Sequence, residues 1–321
     1  QSFEFSGNDV TQNLYDRLVV FDALDLSKGY QPSLAESWQM SSDGLTLTLT
    51  MREGVTFQSG NPVRAEDAAW SLQRMVKLNK TPAFILTQFG FTPENVDQMI
   101  TAEGRTLTLR LDKPYAQSFV LNCLAASNAA VIDKETVMAN AQGDDLGNAW
   151  LSTNGAGSGP YSLAAWRPNE VVQLVANDGY WGGAPAMKRV IVRNVQESSA
   201  QRLQLEKGDI DVARNLTPTD VEAVAGNDAL KITDEPRGRI LYMGLNQKDP
   251  LLSNPAVIKA MRHLVNFEGM AGSFLKGQWK IHQNFLPEGY LGASDDNSWT
   301  YDVEAAKKII DEAGLAGSTI T

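Results

Sequence analysis

The sequence predicts an α/β protein of two or more domains, one of them a compact α+β unit. Three observations carry this. At 321 residues the chain is longer than one ordinary hydrophobic core serves. Two stretches of strict apolar/polar alternation, residues 45–51 and 106–111, flank a helical apolar stripe at 65–78. Beyond a glycine-rich stretch at 155–161, short β-branched runs alternate with capped helices, as in an α/β lobe.

Asn8, Asp9 and Thr11 are candidate caps for an opening helix whose apolar positions are Leu14, Leu18 and Val19, and Pro32 breaks that pattern. Leu45-Thr46-Leu47-Thr48-Leu49-Thr50-Met51 alternates without a slip between the turn signals Asp43-Gly44 and Glu53-Gly54, which predicts a half-buried strand. Val55-Thr56-Phe57 predicts a second strand, closed by Ser59-Gly60-Asn61-Pro62. A helix follows over 65–78. Glu66 and Asp67 favour its positive end, and Ala68, Ala69, Leu72, Met75 and Val76 form its buried stripe. Residues 106–111 repeat the strand pattern, so about 31 to 152 forms one α+β unit.

Gly155-Ala156-Gly157-Ser158-Gly159-Pro160-Tyr161 suits either a crossover beside a cleft or a surface loop. After it, residues 171–175 and 190–192 predict more deeply buried strands. Ser198-Ser199 caps a helix that runs to Lys207 and stops at Gly208, and Ile210 with Val212 predicts a short strand. Thr217-Pro218-Thr219-Asp220 sets a cap, a first-turn proline and an acid ahead of another helix, with Gly226 as its stop. Residues 240–246 predict a strand. Asn254-Pro255 opens a long helix burying Val257, Ile258, Met261, Leu264 and Val265. Asp302 caps a last helix, with Gly314 just past its end.

Twenty-eight Lys and Arg against 38 Asp and Glu leave a net charge of −10, which excludes a phosphate-neutralising nucleic-acid binder and disfavours an anionic membrane surface. No apolar run approaches the roughly 18 residues of a membrane span. Cys123, alone in an apolar run, reads as a small core residue.

Enzymatic templates fail one after another. A dinucleotide fingerprint needs glycine where Pro160 stands, and a nucleophile elbow around Ser158 needs glycines where Ala156 and Pro160 stand. His263 and His282 are the only histidines, and neither has zinc-ligand spacing to Cys123. Asp144-Asp145 and Asp295-Asp296 read as solvated loops. Neither a catalytic residue, a metal nor a cofactor is expected. Aromatics flanked by polar residues, Phe89 and Tyr242 among them, suit pocket walls.

An ordered series of short motifs resembles the peptide- and nickel-type solute-binding proteins of ABC importers, extracellular family 5. It includes Asn13-Leu14-Tyr15-Asp16-Arg17-Leu18, Pro32-Ser33-Leu34-Ala35-Glu36-Ser37-Trp38, residues 51–57, Gly157-Ser158-Gly159-Pro160-Tyr161 with Trp166, Asn177-Asp178-Gly179-Tyr180-Trp181, Gly208-Asp209-Ile210-Asp211 and residues 301–307. The resemblance implies a two-lobed periplasmic-binding-protein fold (type II, cluster C-like) with a small α+β domain inserted in the first lobe. Lobe I would be 1–32 and 153–240, the insert 33–152, and 241–321 the start of an incomplete lobe II. The family's first strand would precede Gln1, and its second lobe would continue past Thr321.

The function it implies is an extracytoplasmic protein, a monomer. It would take a short peptide or similar small solute into an interlobe cleft, close around it and deliver it to ABC permease subunits. The ligand-binding positions carried over are Phe3, Phe5, Phe89, Ser127, Asn128, Gly157, Ser158, Gly159, Tyr242 and Met243. A nickel or metallophore binder of the same family and, from a different class, a cleft hydrolase using dispersed acids are the alternatives.

Overall fold

In a computed structural model, described for residues 5–22, 25, 28–234, 238–290 and 292–320, the chain divides into two compact units, Gln1–Asn194 and Val195–Thr321.

The first unit opens with helix α1 (Phe5–Leu14) and a two-stranded antiparallel ribbon, β1 (Val19–Phe21) with β2 (Tyr30–Pro32). Val19, expected on the opening helix, is the first residue of β1. Next come β3 (Ala35–Met40), β4 (Thr46–Met51), α2 (Ala65–Leu78), α3 (Phe84–Thr87), α4 (Val96–Met99), β5 (Ile100–Glu103) and β6 (Thr106–Arg110). The four strands form an antiparallel sheet in the order β3-β4-β6-β5. Its register opposes Leu47 to Leu109 and Leu49 to Leu107, so the alternation read in the sequence puts four leucines on one buried face and the threonines between them on the other.

α2 covers that face. Ala68, Ala69, Leu72, Met75 and Val76 are buried, as the stripe predicts. The Arg64 amide donates to the Asp67 carboxylate at 3.0 Å, and Asn79 ends the helix in the left-handed region at φ 44°. Residues 55–57 are not a strand. Val55 and Phe57 are buried, yet only an isolated bridge joins Thr56 to Pro62, because the chain turns back at once through Gly60 and Pro62 has no amide to extend a ladder. Helices α5 (Gln117–Ala125) and α6 (Lys134–Ala139) follow.

The unit closes with an antiparallel meander, β7 (Tyr161–Arg167), β8 (Val171–Ala176) and β9 (Arg189–Arg193). Strands were expected at 171–175 and 190–192 with deep burial, which β8 meets at Val171 and Leu174 and β9 does not. Ile191 and Val192 on β9 are exposed, since β9 is an edge that pairs only with β8.

The second unit is helical among its described residues: α7 (Ser198–Lys207), α8 (Pro218–Val224), α9 (Pro255–His263), α10 (Phe267–Gly272) and α11 (Val303–Glu312). The punctuation holds except at the start of α7, where Ser198 and Ser199 lie inside the helix and the N-cap is Glu197 without a side-chain bond. Gly208 ends α7 at φ 78°, and the side chains of Thr217, Asn254 and Asp302 accept amide hydrogens at the starts of α8, α9 and α11. α9 packs against α11, and the Asp302 amide donates to the His263 carbonyl at 2.9 Å.

Three expectations are corrected here. The long helix is broken because Asn266 starts α10 by accepting from the Gly269 amide, so Leu264 and Val265 fall between helices, and Val257 and Ala260 are the buried positions of α9. Residues 210–212 form no strand. Residues 240–246 form none either, having no ladder partner, which a strand needs for its backbone donors and acceptors.

Candidate functional site

One buried polar cluster of the first unit is built on Asp16, two residues past α1. Its side chain is 7% exposed, yet every contact given to its carboxylate is a neutral donor. The Ser158 hydroxyl and the Trp181 indole N–H donate to Oδ2, and the Tyr180 hydroxyl to Oδ1, each at 2.9 Å. Three chain segments thus meet at one buried charge, and the Asp16 carbonyl accepts from the Val131 amide to add a fourth. A buried carboxylate is tolerated only when its lone pairs are satisfied in this way.

The glycine stretch makes the approach possible. The Gly159 amide donates to the Leu14 carbonyl at 3.0 Å, and a Cβ on Gly157 would overlap that same oxygen. Gln58 braces the stretch from the other side, its amide donating to the Gly157 carbonyl and its side chain to the Tyr161 carbonyl at 2.6 Å. Asn177 donates to the Gly159 carbonyl, so the segment leading to Tyr180 and Trp181 is fixed before it reaches Asp16.

Burial, the Asp16 charge and the hydrogen bond to it push the Tyr180 phenol above its ordinary value, so it stays a donor at neutral pH. Burial likewise raises the Tyr15 phenol, whose oxygen accepts from the Ala156 amide. Arg17 is lowered by burial, with Asp16 opposing. It gives one N–H to the Ala125 carbonyl at 2.8 Å, at the C-terminal end of α5. A pocket of about 240 Å³ opens beside this cluster, lined by Asp16, Arg17, Phe21, Pro160, Tyr180 and Trp181 among others.

A larger groove of about 580 Å³ lies at the starts of α2 and α6, and two of its four acids, Asp67 and Asp133, are employed in capping. Asp133 accepts from the Ser59 and Thr136 hydroxyls, the Asn61 amide and the Thr136 backbone. Burial pushes Asp133 upward, and these donors more than offset it, holding the carboxyl below its ordinary range. Asp67 is raised, mainly by burial.

The residues carried over from the sequence scatter. Phe3 lies outside the described residues, and Phe5 begins α1. Phe89 is 0% exposed, enclosed by Phe91, Tyr115 and Phe119 with ring centroids 5.0–6.2 Å away. The Ser127 hydroxyl donates to Asn8 at 2.7 Å, while Asn128 is buried and donates to the Pro82 carbonyl. Gly157, Ser158 and Gly159 come together around Asp16. Tyr242 and Met243, in the second unit, are 76% and 55% exposed.

The sequence motifs contain Asp16, Arg17, Tyr180 and Trp181 without marking them as site residues. The available signal was an Asp-Arg pair set between Leu14 and Leu18, two core positions.

The nucleophile and metal candidates of the sequence have other roles in the described residues. Burial pushes the Cys123 thiol up to about 11, so it is protonated at neutral pH. No group of three His, Cys, Asp or Glu side chains is placed to hold a metal ion. Both histidine rings face backbone carbonyls, those of Thr300 and Leu286. Asp145, one of the paired acids, accepts three backbone amides of its own loop. The cluster can bind and orient. No described helix is long and apolar enough to cross a membrane.

Comparison with known proteins agrees with this character. Residues 29–321 match the family described as bacterial extracellular solute-binding proteins, family 5 Middle, and the chain belongs to that family. It is 31% identical over 307 residues, 94% of the chain, to the "Probable D,D-dipeptide-binding periplasmic protein DdpA" of Escherichia coli K12, and 26% identical to the dipeptide-binding protein of the same organism. The chain spans 55% and 58% of those two relatives, a little over half their length. A Helicobacter pylori periplasmic binding protein, DppA, in complex with the peptide STSA superposes with a TM-score of 0.78 at 24% identity, covering 98% of this chain and 63% of that one. A Pseudoalteromonas dipeptide-binding protein in complex with Met-Leu gives 0.81 at 21%, covering 97% and 63%. The chain has the mixed α and β fold of these periplasmic binding proteins.

Proposed function

We propose that this member of family 5 is the substrate-binding part of an ABC importer, which captures a short peptide outside the cytoplasmic membrane and hands it to permease subunits. The observation that carries the reading is the 31% identity to a probable D,D-dipeptide-binding protein across 94% of the chain. The chemistry of the described residues supports it: hydrogen-bonded clusters, an inert thiol and no catalytic constellation suit a protein that binds without transforming. In this reading the protein is a binding component rather than an enzyme, as its family members are solute-binding proteins, and it works as a monomer.

The domain scheme belongs to the same proposal: lobe I from 1–32 and 153–240, a small α+β insert at 33–152, and 241–321 contributing to lobe II of a type II architecture. A ligand draws the lobes together only through contacts that are tighter in the closed form. Of the residues put forward for contact, Ser127, Tyr242 and Met243 keep accessible surface, and Gly157 to Gly159 act by shaping backbone. Phe89 would act from the core behind the surface. Extended peptide backbone pairs with exposed strand edges while roomy pockets accept varied side chains.

The test is calorimetric titration of the complete protein with D-Ala-D-Ala, L-Ala-L-Ala and a mixed tripeptide pool. Saturable heat with a dissociation constant of roughly micromolar order for at least one of them is expected. Absence of binding to all three, together with tight capture of a nickel chelate, would replace the peptide by the family's other ligand class.

A further inference from the structure

The pocket of about 240 Å³ beside Asp16 has two charged residues in its lining, Asp16 and Arg17, and they are in different situations. Asp16 is satisfied by three neutral donors from Ser158, Tyr180 and Trp181. Arg17 is not satisfied. Its Nη1 caps the carbonyl of Ala125, but its Nε is buried and has no hydrogen-bond partner. Capping α5 accounts for one edge of the guanidinium and leaves the other edge unexplained. A rigid fork of five donors with an unpaired buried N–H is costly to maintain, and an anion would relieve it.

The surroundings narrow the class of ligand. Arg52, outside the lining, stacks on the Trp181 ring with its guanidinium carbon 4.8 Å from the centroid and adds a second cation behind that wall. A cationic ligand would find the Asp16 lone pairs already engaged. A dianion such as phosphate would meet the Asp16 charge at short range, which a monoanion tolerates better. The remaining lining, with Phe21, Pro32, Pro160 and the rings of Tyr180 and Trp181, offers apolar faces to the body of such a ligand.

We propose that this pocket is a binding site for a small monocarboxylate, with its carboxylate on Arg17 and its apolar body against Tyr180 and Trp181. The site lies wholly within the first unit and is independent of peptide capture, so it stands or falls separately from the transport reading.

The probe is benzoate, with neutral benzamide as its near-isostere, titrated into the ¹⁵N-labelled 321-residue chain. The reporter is the Trp181 indole N–H resonance, which the hydrogen bond to Asp16 sets apart. Benzoate is expected to shift it saturably with a dissociation constant on the order of 1 mM, and benzamide at least tenfold more weakly. Arg17→Gln is expected to weaken benzoate tenfold or more with the Trp181 resonance still dispersed. Equal response to the two probes, a response that never saturates, or unchanged benzoate affinity in Arg17→Gln overturns the proposal. The wild-type comparison of the two probes decides the matter even if the variant fails to fold, and Arg17→Lys then serves as the second variant, expected to retain part of the affinity through its charge.

Discussion

The sheet β3-β4-β6-β5 under α2 and the cluster around Asp16 hold the first unit together by opposite means. In the sheet, Leu47, Leu49, Leu107 and Leu109 are stabilised by leaving water, an effect that has no direction and is shared among many neighbours. In the cluster, one carboxylate gathers donors from residues 158, 180 and 181 through bonds whose angles and lengths all matter. Losing a leucine costs area and leaves a cavity. Losing the carboxylate strands several polar groups at once.

The largest effect that sharpens this contrast is expected from Asp16→Ala. It leaves the Ser158, Tyr180 and Trp181 donors facing a void and removes the charge that offsets Arg17, a loss of about 3–5 kcal/mol by analogy with broken buried ion networks. Thermal unfolding should start on the order of 10 °C lower. If Asp16→Ala melts within a degree or two of the parent, the cluster is ornament and the contrast collapses. Leu49→Ala comes next, at about 2–5 kcal/mol depending on how far the sheet and α2 settle into the cavity. Its signature differs from that of Asp16→Ala: a lowered denaturant midpoint with the Trp181 environment unchanged until global unfolding.

The same contrast explains what was legible in the chain. Period-two alternation at 45–51 and 106–111 and the stripe at 65–78 are local signals, and the strands and helix lie where those signals put them, within a residue. Caps at Thr217, Asn254 and Asp302 are local as well. The Asp16 cluster has little local signal beyond a charged pair between two core leucines, because its donors lie 142 to 165 positions from Asp16 and meet it only after the chain has folded. Residues 240–246 failed for the converse reason. Their β-like composition is local, but a strand also requires a partner, which composition does not specify.

Smaller effects separate the members of the cluster. Tyr180→Phe keeps the ring and deletes one donor to a charged acceptor, so about 1.5–3 kcal/mol is expected. Ser158→Ala sits at the low end of the same range, since Trp181 still donates to the oxygen that Ser158 leaves. A Tyr180→Phe, Ser158→Ala double variant should cost more or less than the sum of the singles, because both donors serve one carboxylate. Strict additivity would show that they act independently.

The smallest effect is a pH dependence, and its sign follows from Tyr180. In the folded protein, burial and Asp16 raise this phenol above the ordinary tyrosine value of about 10, so the folded state keeps a proton that the unfolded chain gives up. Over that interval the native state binds more protons than the unfolded one, and stability falls as pH rises. The contribution is fully present below pH 10 and disappears as the folded phenol titrates. Tyr15, Tyr30 and Tyr115 are also raised and add slopes of the same sign, so the informative quantity is the difference between the parent and Tyr180→Phe. Denaturant unfolding at pH 8 and at pH 10.5 should show the parent losing more stability than the variant between the two. Equal losses would mean that Tyr180 ionises as freely in the folded chain as in the unfolded one, and the hydrogen bond to Asp16 would then have no energetic content.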